Sequence, residues 1–443
     1  MVIQLSEHFS YKKILRFTFP SIVMMIFTSI YSVVDGLFVS NFAGKTPFAA
    51  LNLIYPYIMI LGTVGLMFGT GGCALVSKIM GEGDREKAHR TFSLIVCASI
   101  LCGLILTIVG YVSLRPVAIL MGAQGEMLEY CVAYGRILII AMIPFVLQME
   151  FQSFFVAAER PQLGLFITLG AGVTNIVLDA IIVGVLNGGL VGAAIATAIS
   201  QLVGGIVPLL YFLLPNKSAL RMRRPILNIK ALGKTCTNGA SELMTNISMS
   251  LVSMLYNIQL MKFAGEDGVA AYGVLMYVNF VFVAAFIGYS MGSAPIVSYH
   301  YGAENHGELK NVLKKSIVII AIFSAVMITL GEVLAYPLSA LFVGYDQTLF
   351  ELTLRGFRIF SLSFFFAGMA VYGSSFFTAL NNGIISATIS FLRTLVFQIG
   401  AVMLLPLILG IDGIWFSIVV AELMAFVIAI LFIVAKRKKY HYW

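Results

Sequence analysis

The amino-acid sequence predicts an all-α polytopic membrane protein, with twelve transmembrane helices in two pseudo-symmetric six-helix bundles around a central cleft and both termini in the cytoplasm. Three observations predict it: the composition, the length of the apolar runs, and the uneven placement of Lys and Arg. Of the 443 residues, 60% are hydrophobic and 11% charged, with a mean hydropathy of +0.97. A soluble domain carries about 25% charged residues and needs far more polar surface at this length. The bilayer is the solvent that fits. Inside lipid every backbone polar group must be paired, so only helices and closed barrels span it. Barrel strands alternate apolar and polar residues. Here the apolar runs are continuous and about 20 residues or longer, as helix spans require.

The runs fall at 12–40, 48–78, 90–115, 127–157, 162–186, 189–214, 232–262, 268–298, 310–342, 348–379, 384–409 and 412–435. The longest are expected to tilt, kink or extend past the membrane. With the N-terminus inside, the inner segments hold 21 Lys and Arg, and the outer segments hold three, Lys45, Arg115 and Lys262. This asymmetry puts both termini in the cytoplasm and demands an even number of spans. It also explains the formal charge of +8 as a topology signal, with no nucleic acid as partner. Residues 11–39 are too long for the core of a signal peptide and read as the first membrane helix. The five cysteines lack metal-ligand spacing and read as small buried residues. His8, His89, His300, His306 and His441 read as loop or terminal. There is no phosphate-binding G-x-x-x-x-G-K-[ST] loop and no catalytic constellation, so neither an enzyme nor a cofactor is expected.

The longest inner connection, Pro215–Gly233, is basic and contains two prolines. It divides the chain into an N-lobe (1–214), a cytoplasmic linker (215–233) and a C-lobe (234–443). The halves resemble each other. Asn41-Phe-Ala-Gly-Lys-Thr-Pro-Phe-Ala-Ala50 matches Lys262-Phe-Ala-Gly-Glu-Asp-Gly-Val-Ala-Ala271, and Gly71, Val76, Ser77 and Gly81 match Gly292, Val297, Ser298 and Gly302 at the same offset of 221. Ser153-Phe-Phe-Val-Ala157 matches Ser375-Phe-Phe-Thr-Ala379 at an offset of 222. A duplication in one orientation gives a pseudo-two-fold axis along the membrane normal, an architecture common in secondary transporters with a cavity between the halves.

Ionisable residues within spans are costly and become functional candidates. Asp35 lies near the outer end of helix 1, Asn175 and Asp179 share one face of helix 5, and Thr197 lies in helix 6. At ~1.5 Å per residue Asp35, Asp179 and Thr197 sit roughly 8–12 Å below the outer boundary. Two nearby carboxylates in low dielectric resist joint ionisation, and a bound proton or Na⁺ relieves the repulsion. These four residues are therefore the candidate cation-coupling site. The bland alternative is an outer-end cap or a snorkelling carboxylate. At the repeat offsets Asp35 corresponds to Tyr256 and Asp179 to Ala401, so the acidic pair is special to the N-half. Glu150 in helix 4 and Glu242 in helix 7 are further candidates for a substrate or proton role, with structural pairing as the alternative. Arg355, Arg358, Arg393 and Glu422 read as interhelical ion pairs or snorkelling groups. Pro20 removes a backbone hydrogen bond within helix 1 and is the candidate hinge. Aromatic and Met surfaces in the cleft suit lipophilic cations of varied shape.

Over essentially its whole length the chain resembles the multidrug and toxic compound extrusion (MATE) family, and most closely its bacterial MepA-type branch. The carrying segments are Tyr31-Ser-Val-Val-Asp35-Gly-Leu-Phe-Val39, Asn175-Ile-Val-Leu-Asp179, Gly192-Ala-Ala-Ile-Ala-Thr197-Ala-Ile-Ser200 and Gly81-Glu-Gly-Asp84. The resemblance implies two bundles around a V-shaped cleft and H⁺- or Na⁺-coupled antiport of organic cations across a bacterial plasma membrane. It implies an N-lobe cation site at Asp35, Asn175, Asp179 and Thr197 and a bending point at Pro20. Another branch keeps its coupling carboxylates in helices 7 and 10, but Glu242 does not align with that site and helix 10 has no acidic residue in its middle. Expected partners are small organic substrates and the bilayer, with the chain acting as a monomer. The alternative is a flippase of a lipid-linked saccharide, which needs a cationic cleft for pyrophosphate.

Overall fold

The computed structural model describes residues 3–43, 45–344 and 346–442. The N-terminal half contains α1 (Tyr11–Phe38), α2 (Lys45–Gly81), α3 (Arg85–Leu120), α4 (Gly125–Ile140), α5 (Met142–Ala157), α6 (Pro161–Leu178) and α7 (Gly189–Leu213). The C-terminal half contains α8 (Ile229–Gly302), α9 (His306–Val343), α10 (Gln347–Ser361), α11 (Phe364–Ala379), α12 (Gly383–Phe391), α13 (Phe397–Leu404), α14 (Pro406–Leu409) and α15 (Ile411–Tyr440). Helix α8 has two limbs that meet at Gly265, whose φ of 62° breaks the helix. Tyr256 stacks on Tyr272 across this break with centroids 5.2 Å apart, so the limbs run back along one another.

Among the described residues nine helices are long and apolar enough to cross a membrane, and the set rises to eleven where each of two bent pairs, α4–α5 at 59° and α10–α11 at 49°, is counted as one span. The first limb of α8 carries Lys230, Lys234, Glu242 and Lys262 and is more polar than these. A count of twelve is consistent with this set. The α4–α5 bend precedes Pro144, which has no N–H to give the helix. The α10–α11 bend is a tight turn in which Ser363 N donates to Phe360 O at 2.9 Å and Phe366 N to Ser363 O at 3.0 Å. Three of the histidines read as loop or terminal are helical instead: His89 lies early in α3, His300 lies in the last turn of α8, 2% exposed, and His306 opens α9. The ring of Phe9 meets His300 edge-on, so the place of His300 is set by packing that local sequence does not encode.

The duplication is visible at equivalent helix starts. Asp84 caps α3 by accepting from Lys87 N, and Asn305 caps α9 by accepting from Glu308 N, both at 3.0 Å. The repeated glycines form the seam where the lobes meet, on the side of the molecule that carries both ends of the chain, the inner side. Gly81 of α2 lies against the backbone of Tyr299 and Ala303, and Gly302 of α8 lies against the backbone of Lys78. Gly71 meets Thr235 and Gly239, while Gly292 meets Thr18 of α1. Absent side chains at these positions allow helix backbones to touch. Asn381 reinforces the seam by donating to Ala74 O across the lobes at 3.0 Å.

The segment before α1 straps this inner face. Leu5 N donates to Glu159 Oε1 of the N-half at 2.7 Å. Phe9 N donates to Glu308 Oε1 at 2.8 Å, and His8 Nδ1 lies 2.7 Å from Glu308 Oε2, both in the C-half. Leu5 and Phe9 are fully buried. On the opposite, outer side the lobes part around a cavity of ≈ 710 Å³ between α2 and the first limb of α8, lined by Asn52, Pro56, Ser253, Met254, Asn257 and Met261 among others.

Candidate functional site

The structure brings the four coupling candidates together beside the outer part of the N-half. Asp179 is fully buried and opens a π-helical turn, Asp179–Val185, that follows α6. The wider turn is visible in the Leu186 N to Ile181 O bond of 2.9 Å, and single π-turns concentrate at functional positions. Asn175 sits one turn earlier, 1% exposed, and its Nδ2 lies 3.4 Å from Thr197 Oγ1 of α7. Asp35 projects from α1, and its carboxyl group faces that of Asp179. Close approach of α1 to α6 depends on Gly172, where a Cβ would meet the rings of Phe27 and Tyr31.

Four acceptor atoms in this cluster, Asp35 Oδ1, both oxygens of Asp179 and Asn175 Oδ1, are buried and meet no donor among the described residues. Buried acceptors without donors are costly, and more so for carboxylates. The chemistry they fit is a proton or a small cation. Tyr31 and Tyr55 lie close enough to Asp35, and Tyr134 close enough to both carboxyl groups, to feel their charge, and Gln148 reaches the Tyr31 hydroxyl. Sequence reasoning missed this collar, because aromatic residues are so common in the chain that no single one stands out.

Glu150 is fully buried but is not part of this cluster. It sits two residues after Gln148 on α5 and turns the other way, to Ser99 of α3, which hydrogen-bonds it. Glu242 also lies apart. It lines a pocket of ≈ 30 Å³ between the lobes with Thr70, Cys73, Ser153, Met291 and Thr378, about four turns of α2 inward from the outer cleft. Helix α1 runs unbroken through Pro20. Arg393 makes a two-pronged pair with Glu422 at 3.0 and 2.9 Å, and Arg355 pairs with Asp412. Glu332 of α9, bonded by Ser361, is a further in-span acid that the sequence reading did not weigh.

At the matched position the C-half carries a hydroxyl in place of the Asp35 carboxylate, with the Arg393–Glu422 pair nearby. Tyr256, which aligns with Asp35, donates from its hydroxyl to Gln398 Oε1 at 2.8 Å. One lobe therefore holds unpartnered carboxylates where the other holds a satisfied hydrogen bond.

Two helical lobes, an open cleft between them and a buried acidic cluster in one lobe define a membrane transporter rather than an enzyme. The sequence profile of the MatE family matches twice, at residues 20–181 and 243–403, and the chain belongs to this family. It is 24% identical over 436 residues to the multidrug export protein MepA of Staphylococcus haemolyticus, covering 97% of this chain and 94% of that protein. The fold superimposes with a TM-score of 0.93 on a multidrug resistance MATE family transporter of the MOP superfamily solved in an outward-facing conformation, at 22% identity over 98% of this chain and 97% of that one. A MATE structure in complex with MaL6 gives the same TM-score at 21% identity, with 98% of each chain covered.

Proposed function

We propose that this multi-pass protein is a secondary antiporter of the bacterial plasma membrane, working as a monomer. It takes up H⁺ or Na⁺ from outside and exports small organic compounds, often cationic and amphiphilic. The observation that carries this reading is the group of four buried, donorless acceptor oxygens at Asp35, Asp179 and Asn175. A proton on one carboxyl, or a sodium ion shared with Thr197, supplies the missing positive partner. Filling the site changes what holds α1 against α6, and α1 also packs on α8 of the other lobe at Gly288 and Gly292. Ion binding is thereby linked to the inter-lobe contact, with Pro20 as the point where α1 yields.

The cleft supports an amphiphilic substrate, because its lining is neutral, with Met, Ile and Leu side chains among Asn and Ser. A pyrophosphate-bearing saccharide needs cationic walls, and Arg355 and Arg393 are already paired with Asp412 and Glu422. Glu242, at the floor between the lobes, is placed to meet a cation that travels the full cleft, and Glu150 is a separate candidate proton carrier. The test is uptake of a lipophilic cation by everted vesicles under an imposed ΔpH or ΔNa⁺. Asp35→Asn should abolish gradient-driven uptake while the protein remains in the membrane at parental levels. Undiminished uptake by that variant would overturn the mechanism.

A further inference from the structure

The connection between the lobes is pinned along its first half and presented outward along its second. Ala219 N donates to Ala158 O at 3.2 Å, Met222 N to Phe212 O at 3.1 Å, and Arg223 N to Ser93 Oγ at 2.7 Å. Arg160 Nη2 donates to Lys217 O at 2.9 Å, and Leu220 is fully buried. The strand of chain is thus a fixed strap across the inner ends of α3, α5 and α7, at the level where those helices leave the hydrocarbon. Beside it Leu213 and Leu214, at the end of α7, are 55% and 62% exposed.

From Arg221 onward the strap changes character. Arg221, Arg223, Arg224 and Lys230 are exposed, and Arg85, Arg221 and Arg223 gather around His89 together with Glu86, which is paired with Arg90. None of these cations makes an ion pair within 4 Å among the described residues, and of them Arg85 has a carboxylate neighbour in Glu159. Interleaved with them, Ile226, Leu227 and Ile229 are 55%, 74% and 76% exposed. Large aliphatic side chains beside unneutralised guanidinium groups, at the polar boundary of a bilayer, are the composition of an interfacial anchor. Guanidinium groups bind phosphate through paired donors, and juxtamembrane basic residues are drawn to the negative surface of the inner leaflet.

We propose that residues 221–230 are a docking strap for anionic phospholipid headgroups of the inner leaflet. Arg221, Arg223 and Arg224, with Arg85, hold lipid phosphates, and Ile226, Leu227 and Ile229 enter the boundary between headgroups and acyl chains. Because the strap ends where α8 begins, the lipid contact fixes the entry point of the second lobe relative to the first. Charge and position together select a lipid surface over a soluble acidic partner.

The test uses the full chain with its five cysteines replaced and Leu227→Cys carrying an environment-sensitive fluorophore, in nanodiscs of phosphatidylcholine with rising phosphatidylglycerol. Brominated acyl chains report depth. The expected result is a blue-shifted label, quenched by bromine, that appears as phosphatidylglycerol rises and fades in high salt. The triple variant Arg221→Gln, Arg223→Gln, Arg224→Gln should weaken the lipid response by about five-fold per charge removed. The matching triple Lys variant should retain most of it, which separates charge from misfolding. A label that stays in water at every lipid composition overturns the proposal. So does quenching that is equal in pure phosphatidylcholine and indifferent to the arginines.

Discussion

Replacing Gly302 by Ala isolates the inner seam. The new Cβ would lie 2.8 Å from the carbonyl carbon of Lys78 and 3.0 Å from its Cα. Both obstacles are backbone, so no rotamer relieves the clash, and α2 and α8 must separate at their inner ends. Forced overpacking of this kind costs about 1–3 kcal/mol. Alanine also gains about 1 kcal/mol of helix propensity over glycine, but that gain is the same whichever way the cleft opens and cancels between the two states. The clash exists only with the inner side closed. The ratio of inward-open to outward-open molecules should therefore rise roughly 5- to 150-fold. Spin labels at Glu82→Cys and Glu304→Cys, exposed positions on opposite lobes, read this out as longer distances by double electron–electron resonance. Gly81→Ala, which meets Ala303 N at 2.9 Å, should do the same from the other lobe. Gly170→Ala and Gly400→Ala, with nothing within 4 Å of the added carbon, serve as controls. If Gly302→Ala leaves the distances at parental values, the seam does not hold the inner side closed.

Other perturbations have equally direct outcomes. Thr197→Val removes a neutral oxygen from the proposed cation site without changing its size, and should weaken half-saturation by the coupling ion about ten-fold in vesicle transport. Glu308→Ala strips the partners of Phe9 N, His8 and Asn311. It should cost about 2 kcal/mol of local stability and make Lys12 and Lys13 markedly more susceptible to trypsin. Glu159 lies outside the spans, and its burial lifts its carboxyl above the ordinary value of 4.5. The folded protein then holds a proton that the unfolded chain has lost, so this group makes stability fall as pH rises from about 4.5 through the folded value. Glu159→Gln should flatten that part of a thermal-stability profile against pH; an unchanged slope would assign the pH dependence to other groups.

The helical spans were legible because lipid permits so few solutions: continuous apolar runs and basic inner loops leave little else. Asp35, Asn175, Asp179 and Thr197 were legible as a group because a carboxylate in an apolar run is rare and depth along a helix follows from counting residues. The glycine matches at 71, 81, 292 and 302 were visible as a repeat, yet their purpose was not. Only the meeting of two lobes shows that those positions touch backbone. The collar of Tyr31, Tyr55 and Tyr134 was hidden by the abundance of aromatic side chains, and the π-turn at Asp179 depends on tertiary packing that no local periodicity records. The inner strap of residues 5–9 was equally silent, since Glu159 and Glu308 lie about 150 and 300 positions away along the chain.

The neutral pair at Tyr256 and Gln398 has a consequence for how force enters the molecule. Duplication produced two lobes of similar build, and at one pair of matched positions the first holds a carboxylate and the second a hydroxyl already engaged by an amide. On the proposed mechanism an ion entering at Asp35 and Asp179 acts on the first lobe, and the second lobe answers through its packing on α1 at Gly288 and Gly292.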